Sequence, residues 1–313
     1  MKNASRITDL LGIEDLRVES IQRLLDQAKF FKKKLESGKK KFDLLAGQSV
    51  VNLFYEPSTR TRSSFEMAAK RLGADCFSFS PDSSTSVAKG ESLVDTARTL
   101  EAMNPDFLVL RHECSGAPQL LADKLEIPVI NAGDGFHEHP TQALLDALTI
   151  EETLGKIKGL NISIIGDIAH SRVARSNIYL LNKLGAHVKV CGPPTLLPPF
   201  VEKLRVTPVF HLDEAIRDAD VVMLLRIQRE RQNGKQIPSN SEYYRFYGLN
   251  QRSAALLKKG TIIMHPGPMN RGVEIAPEVA DGGSSVILHQ VTNGVAARMA
   301  VLAVLHADKA AGQ

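Results

Sequence analysis

The chain has 313 residues, 43% of them hydrophobic, which suits two domains that each bury a core. Lys and Arg (39) barely outnumber Asp and Glu (35), and the one dense basic cluster lies at 32–41. Trp is absent, so bases would have few aromatic side chains to stack on. No nucleic-acid partner is therefore expected. The three cysteines form no C-x-x-C pair, so we expect neither a metal site nor disulfides. Neither a membrane-length apolar run nor an apolar N-terminal leader is evident, so we expect a soluble cytoplasmic protein without a membrane partner.

The predicted elements alternate between helix and strand in two series. After a helix near 21–35, apolar strands are predicted at 49–56, 76–80, 106–112 and 127–131, with helices between them. A helix at 139–154 follows, with Pro140 suited to its first position. The second series has strands at 161–167, 187–193, 205–210, 220–228 and 261–266, and a last long helix is predicted from 286. This alternation predicts βαβ units and parallel sheets.

The fold class is therefore predicted as α/β, with two doubly wound parallel-sheet domains and the active site in the cleft between them. The predicted domains are 1–138 and 139–284, joined by the helix at 139–154. Ligands of open parallel sheets bind outside the carboxyl ends of the strands, so functional residues are expected in the strand-to-helix loops.

The turn Ser58-Thr59-Arg60-Thr61 lies between a predicted strand and a predicted helix. A helix N-terminus offers unpaired N–H groups and the positive end of a dipole, and the hydroxyls and the guanidinium add donors for a phosphate. The alternative is an ordinary Ser or Thr N-cap with exposed arginines. The concentration of donors favours the anion site.

His139 and Gln142 are spaced to share one face of the first turn of their helix. An imidazole N–H can donate to a carbonyl oxygen, and the Gln amide oxygen can accept from an NH2 group, so the pair fits a carbamoyl group. A structural His at the helix start is the alternative. Arg111 ends a predicted strand, where a catalytic loop residue would lie, but is weak evidence alone.

Two arginines follow predicted strands of the second domain. Arg172 follows the strand at 161–167, and Arg226 ends the strand at 220–228, where Gln228 points the same way. Together they predict an acidic substrate, although a salt bridge to Asp or Glu would explain either arginine alone. Three polar segments, at 81–92, 229–248 and 265–272, are predicted to be loops, which either move, contact a ligand or simply lie at the surface.

The motifs together resemble the catalytic chains of aspartate carbamoyltransferases, in the aspartate/ornithine carbamoyltransferase family. The matching segments are FYEPSTRTRSSFE, STSVAKGES, LRH, GDGFHEHPTQALLD, the GD-x4-R at Arg172, RIQRER and HPGPMNRGVEI, in the family's order from residue 54 to 275. The resemblance implies transfer of the carbamoyl group of carbamoyl phosphate to the α-amino group of L-aspartate, an early step of pyrimidine biosynthesis, without a cofactor.

The resemblance also implies roles for individual residues. Carbamoyl phosphate would be held by Ser58, Thr59, Arg60, Thr61, Arg111, His139, Gln142, Pro266, Gly267 and Pro268, and aspartate by Lys89, Arg172, Arg226 and Gln228. The catalytic groups would be Arg60, Thr61, Lys89, Arg111 and His139. Ser86 and Lys89 would come from a neighbouring subunit of a homotrimer, and the C-terminal helix, 285–313, would fold back onto the first domain. A dihydroorotase or dihydroorotase-like partner is a further hypothesis.

Three other interpretations remain to be weighed. Ornithine carbamoyltransferases share the STRTR and HP-x-Q elements, but RIQRER and HPGP replace their Ser-Met-Gly loop and His-Cys-Leu-Pro turn, and Arg226 would repel an ammonium group. A non-catalytic scaffold would have lost catalytic residues, whereas this sequence has the family's residue at each of the catalytic positions named above. A nucleotide-dependent oxidoreductase would need G-x-G-x-x-G, which this sequence lacks.

Overall fold

The computed structural model describes residues 6–80, 90–227, 237 and 239–312, and they fold as two compact units. The first unit comprises Met1–Leu148 with Asn293–Gln313, and the second comprises Thr149–Thr292. Both divisions fall inside helices, after Leu148 and after Thr292.

The first unit is built on a parallel sheet with the strand order β2-β1-β3-β4. Its strands are β1 (Ser49–Phe54), β2 (Asp75–Phe79), β3 (Phe107–His112) and β4 (Val129–Asp134). Its helices are α1 (Val18–Glu36), α2 (Thr59–Leu72), α3 (Leu93–Glu101) and α4 (Ala117–Ala122). Central β1 and β3 are mostly buried and each has four apolar residues out of six, as expected for a parallel sheet covered on both faces.

The second unit is built on a parallel sheet with the order β7-β6-β5-β8-β9. Its strands are β5 (Asn161–Ile165), β6 (His187–Cys191), β7 (Thr207–Val209), β8 (Val221–Leu224) and β9 (Ile262–Met264). The helices between them are α6 (Arg172–Lys183), α7 (Leu212–Ile216), α8 (Asn240–Tyr247) and α9 (Gln251–Ala254), and α10 (Pro277–Ala280) follows β9. The predicted fold class of two parallel-sheet α/β domains is confirmed.

Two long helices cross the division between the units, α5 (Pro140–Leu154) and α11 (Ile287–Ala310). By length and hydropathy α11 could span a membrane, so the expectation that no apolar run approaches that length is wrong. Its apolar window is 72% buried inside the protein, however, as in a core helix. Near its end, Asp308 accepts hydrogen bonds from the backbone of Ile7 and from Arg23, both 2.9 Å long, within the first unit.

Candidate active site

In the first unit, the start of α2 and Arg111 lie side by side at the carboxyl edge of the sheet. Phe54, the last residue of β1, pairs with Arg111 of β3, and the Tyr55 N–H donates to the Arg111 carbonyl at 2.9 Å. The loop that leads into α2 is thereby fastened to the strand that carries the arginine. The predicted phosphate turn and Arg111 are therefore neighbours.

The N-terminus of α2 is open for an anion. Ser58 is the N-cap residue, yet in the described part of the chain its side chain caps no backbone N–H of the helix. Thr61 is buried, whereas Thr59 and Arg60 are exposed. No acidic residue occupies the first turn of this helix. The uncapped first turn fits a phosphate, whereas the exposed position of Arg60 agrees with the alternative of a surface turn.

Arg111 is held by two contacts within the first unit. Its Nε lies 3.2 Å from Oε2 of Glu56, and its Nη1 donates to the Ala132 carbonyl at 3.2 Å. The guanidinium is only 14% exposed, so these contacts fix its direction. Arg111 thus forms the kind of salt bridge that was considered as the alternative for Arg172 and Arg226. A ligand anion would either share the Arg111 guanidinium with Glu56 or displace the Glu56 carboxylate from it.

His139 is positioned by a buried polar network at the end of β4. The Asp134 carboxylate accepts hydrogen bonds from the N–H groups of Gly116 and Glu138, at 2.7 and 3.1 Å, and from the Asn131 amide at 2.8 Å. Burial acts to raise the pKa of Asp134, but these bonds and the one from His137 outweigh it and hold that pKa below its ordinary value. The network fixes the loop that ends at His139, which is itself 4% exposed.

Gln142 lies one turn into α5 and is tied to a second residue of that helix. Its Nε2 donates to Asp146 Oδ1 at 2.9 Å, and both side chains are buried. The opposite end of the amide, the acceptor Oε1, is then directed away from Asp146. The spacing argument that placed His139 and Gln142 on one helical face correctly anticipated the helix, although it did not anticipate Asp146.

In the second unit, Arg172 is the first residue of α6 and is 4% exposed. The turn before it is shaped by Asp167, whose Oδ1 lies 2.8 Å from Nδ1 of His170 and accepts the His170 N–H at 3.1 Å. Ser171 then caps α6 by accepting from the Ala174 N–H at 3.1 Å. These bonds turn the chain sharply and place Arg172 just beyond the carboxyl end of β5.

Arg226 leaves the same edge of the sheet from the neighbouring strand. Ile165 of β5 pairs with Leu224 of β8, and the Leu225 N–H donates to the Ile165 carbonyl at 2.8 Å. The two predicted substrate-binding arginines therefore follow adjacent strand ends within one unit. Gln228, predicted to act with Arg226, lies outside the described residues.

The turn at 265–268 follows β9 and is held by hydrogen bonds to buried side chains. The Gly267 N–H donates to Nδ1 of His265 at 2.8 Å, and the Nε2 of that ring lies 3.2 Å from Oε1 of Glu274. Both His265 and Glu274 are buried, and the His265 N–H donates to Gln290 Oε1 at 2.9 Å. The peptide bond between Gly267 and Pro268 is cis. These hydrogen bonds hold in place the backbone carbonyls that were predicted to contact a ligand.

The prediction that 229–248 is a loop is wrong for its second half. Residues Asn240–Tyr247 form α8, which is capped by Ser239 through a hydrogen bond from the Glu242 N–H. Tyr243 is 3% exposed and joins an apolar cluster with Leu196, Ile227 and Ile237. Polar and aromatic residues are mixed in this short helix, which explains why composition alone indicated a loop.

The predicted residues that the structure describes follow neighbouring strand ends, and we group them as two clusters, one in each unit. The first-unit cluster contains Ser58, Thr59, Arg60, Thr61, Arg111, His139 and Gln142, and the second-unit cluster contains Arg172, Arg226, Pro266, Gly267 and Pro268. Ser86 and Lys89, predicted to come from a neighbouring subunit, lie outside the described residues.

Sequence reasoning missed the acids that support these clusters, namely the half-buried Glu56 and the buried Asp134, Asp146 and Glu274. One signal was available for Asp146, because it lies four residues after Gln142 in a predicted helix. The other contacts depend on residues brought together by sheet pairing and turns, which have no local sequence signature.

Fold and site together define a two-domain α/β protein with donor-rich clusters for anionic ligands at the carboxyl ends of its strands. Residues 8–152 match the family model described as the carbamoyl-P binding domain of aspartate/ornithine carbamoyltransferases. Residues 158–305 match the model described as the Asp/Orn binding domain of the same family.

Sequences and solved structures of related proteins agree with these models. The chain is 56% identical over 297 residues, 95% of this chain and 96% of the relative, to the aspartate carbamoyltransferase catalytic subunit of Syntrophus aciditrophicus. It superposes with a TM-score of 0.87 and 31% identity on aspartate transcarbamoylase from Trypanosoma cruzi in complex with carbamoyl phosphate and aspartate, covering 96% of this chain and 97% of that one. It also superposes on ornithine carbamoyltransferase from Pyrococcus furiosus, with a TM-score of 0.83 and 31% identity, covering 96% of this chain and 97% of that one. The chain belongs to the aspartate/ornithine carbamoyltransferase family.

Proposed function

We propose that this protein is an aspartate carbamoyltransferase, which transfers the carbamoyl group of carbamoyl phosphate to the α-amino group of L-aspartate. The products are N-carbamoyl-L-aspartate and phosphate. The observation that carries the proposal is the pair of clusters, one with an open helix N-terminus beside Arg111 and His139, and one with Arg172 and Arg226 at adjacent strand ends. The 56% identical relative bears the same name.

The first-unit cluster has the donors that carbamoyl phosphate needs. The phosphate would accept from the backbone N–H groups and hydroxyls at the start of α2 and from Arg60. The carbamoyl oxygen would accept from Thr61, Arg111 and His139. Its NH2 group would donate to Gln142 and to the backbone carbonyls near Pro266 and Gly267.

The second-unit cluster favours aspartate over ornithine. Arg172 and Arg226 would pair with two carboxylates, and aspartate has two whereas ornithine has one carboxylate and a side-chain ammonium group. An ammonium group near Arg226 would be repelled, which is a basis for discrimination as well as for affinity. Gln228 and Lys89 are proposed as further aspartate ligands on the strength of the resemblance.

The reaction requires no protein nucleophile. The unprotonated amine of aspartate attacks the carbamoyl carbon, and the negative charge that develops on the carbamoyl oxygen is stabilised by Thr61, Arg111 and His139. The C–O bond to phosphate then breaks, and the phosphate leaves with its charge balanced by Arg60, Lys89 and the α2 dipole. The amine proton passes to the departing phosphate. Orienting the two substrates could contribute up to about 7–11 kcal/mol to the lowering of the barrier.

We further propose a cytoplasmic homotrimer in which Ser86 and Lys89 complete the site of a neighbouring subunit. The support is the resemblance of the STSVAKGES segment to its counterpart in the family. A dihydroorotase or dihydroorotase-like protein is proposed as an additional partner because of the HPGPMNRGVEI motif. Analytical ultracentrifugation tests the homotrimer and co-purification tests the dihydroorotase partner, each separately from the reaction. The proposed reaction is an early step of pyrimidine biosynthesis.

One ligand tests whether both clusters serve one reaction. N-(phosphonacetyl)-L-aspartic acid carries a phosphonate and two carboxylates in one molecule, and the aspartate transcarbamoylase of T. cruzi is solved in complex with it. We expect it to bind the wild-type protein at least about a hundredfold more tightly than phosphonoacetate does, as measured by calorimetry. The Arg226→Met substitution should remove most of that advantage, whereas Arg217→Met, at an exposed position of the same unit, should not. Equal affinity for the two ligands in the wild-type protein would contradict the proposal.

A further inference from the structure

Asp146 binds the functional amide of Gln142 from within the same helix. The bond from Gln142 Nε2 to Asp146 Oδ1 is 2.9 Å long and joins residues four apart in α5. Asp146 is 0% exposed and Gln142 is 8% exposed. A hydrogen bond at this depth is not exchanged readily with water, so it restrains the side chain more than a surface bond would.

The chemistry of the pair decides which way the Gln142 amide faces. A carboxylate only accepts hydrogen bonds, so the amide must present its NH2 end to Asp146. Turning the amide over would place Oε1 against a carboxylate oxygen, and two acceptors would then oppose each other without a proton. Oε1, an acceptor, is consequently the end that remains for a ligand.

A buried cation from α11 supports the charge on Asp146. The guanidinium of Arg298 is 3% exposed, lies 5.1 Å above the ring of Phe65, and donates from Nη1 to the Gly294 carbonyl at 3.0 Å. Burial lowers the pKa of Arg298 to about 10, and the negative charge of Asp146 acts in the opposite direction. At neutral pH the guanidinium therefore stays protonated, and its positive charge favours the ionised form of Asp146.

The packing around this cation leaves little room for rearrangement. A Cβ atom at Gly294 would lie 2.7 Å from Nη1 of Arg298 and 3.4 Å from Cδ2 of Leu145, so α11 approaches α5 closely at this glycine. Phe65 belongs to α2, the helix whose N-terminus forms the predicted phosphate site. The position of Asp146 is thus fixed by the elements that build the first-unit cluster.

We propose that Asp146 is a specificity-determining positioning residue, which locks Gln142 as an acceptor and so selects a carbamoyl NH2 group over other acyl phosphates. The inference rests on the proposed function and adds to it the reason for the selectivity. Acetyl phosphate has a methyl group in place of the NH2 and has no proton to donate to Oε1. Without Asp146 the amide can turn over, and the distinction between the two ligands diminishes.

The test compares the binding of carbamoyl phosphate and acetyl phosphate to wild-type and Asp146→Asn proteins, as competing ligands in the aspartate assay and by calorimetry. Asn offers both a donor and an acceptor to Gln142, so the amide is no longer held one way. We expect the affinity for carbamoyl phosphate to fall about tenfold, the equivalent of one hydrogen bond. The affinity for acetyl phosphate should change by less than about twofold.

The chain provides a matched control. On the surface of α4, Gln119 Nε2 donates to Asp123 Oδ1 at 2.8 Å, the same pair at the same spacing. The Asp123→Asn substitution should leave the affinities for both ligands unchanged. In a Gln142→Met background, Asp146→Asn should no longer alter the ratio of the two affinities, because the amide through which it acts is gone.

The outcomes separate this proposal from the proposed function. If Asp146→Asn is too unstable to purify because it leaves the buried Arg298 without its opposing charge, the double variant Asp146→Asn/Arg298→Met removes both charges and should lose selectivity in the same way. An unchanged ratio of affinities, or an equal loss for both ligands, would show a purely structural role and overturn the inference. A wild-type protein that binds neither ligand would instead overturn the proposed function, and this inference with it.

Discussion

The Oε2 atom of Glu56 lies 3.2 Å from the Nε atom of Arg111, and the two side chains are 17% and 14% exposed. The cation proposed to stabilise the reacting carbonyl thus carries an internal counter-ion when no ligand is bound. At this depth an ion pair is screened less than one at the surface. A substrate anion therefore competes with Glu56 for Arg111.

We expect Glu56→Gln to tighten the binding of inorganic phosphate, because the competing carboxylate is removed while the size of the side chain is kept. The expected change is about three- to tenfold, typical of one partly buried charge pair. It is measured as the inhibition constant of phosphate against carbamoyl phosphate. Asp281→Asn, which removes the exposed partner of Arg271, is the control and should have no effect. Weaker phosphate binding in Glu56→Gln would show that Glu56 assists the anion rather than competing with it.

Removing the imidazole of His139 should mainly slow the chemical step. His139→Asn takes away one of the donors proposed for the developing oxyanion, and we expect kcat to fall about a hundredfold with little change in the KM for aspartate. Steady-state kinetics with both substrates distinguish these effects. The exposed residue His187 provides the control substitution His187→Asn. A normal kcat in His139→Asn would remove this residue from the oxyanion site.

Acid stability should depend on Asp134. Its pKa is held below the ordinary value of 3.8, so its contribution to stability is present above about pH 3.8 and is lost as the pH falls through the lower, folded-state pKa. At neutral pH we expect Asp134→Asn to cost about 2 kcal/mol and to lower Tm by roughly 4–8 °C. Calorimetric scans at several pH values should show the gap to the wild type narrowing below pH 4. A gap that does not depend on pH would contradict the assigned ionisation.

Thiol reactivity should separate the three cysteines. Burial raises the pKa of Cys76 to about 11 and that of Cys191 to about 12, so neither forms much thiolate at neutral pH, whereas Cys114 is exposed. A thiol reagent such as dithionitrobenzoate should therefore modify one cysteine quickly in the native protein and all three after denaturation. The Cys114→Ser variant should lose the fast phase. Rapid labelling of Cys191 in the native state would contradict its buried position.

The fold was predictable because its signals are local. The central parallel strands contain short apolar runs, and helix ends are marked by residues such as Gly73, which adopts a left-handed conformation with φ of 90°. Pro140 begins α5 as expected from its fixed φ. The exception was α8, a short helix that mixes polar and aromatic residues and in which Tyr243 is the buried one.

The donors of the site were also predictable, because hydroxyls, arginines and the His139-Gln142 pair follow strand ends in the sequence. Their buried partners were not. Glu56 meets Arg111 through the pairing of β1 with β3, and Glu274 meets His265 through the turn after β9. Such contacts are set by tertiary packing, and nothing in the spacing of the residues along the chain indicates them.

The central claim is that the protein carbamoylates aspartate, and product formation tests it most directly. Purified protein is incubated with carbamoyl phosphate and either L-aspartate or L-ornithine, and both carbamoylated products are quantified. Product from aspartate alone is the predicted result, because Arg172 and Arg226 are proposed to pair with carboxylates and would repel an ammonium group. Product from ornithine, or none from either amino acid, would contradict the account.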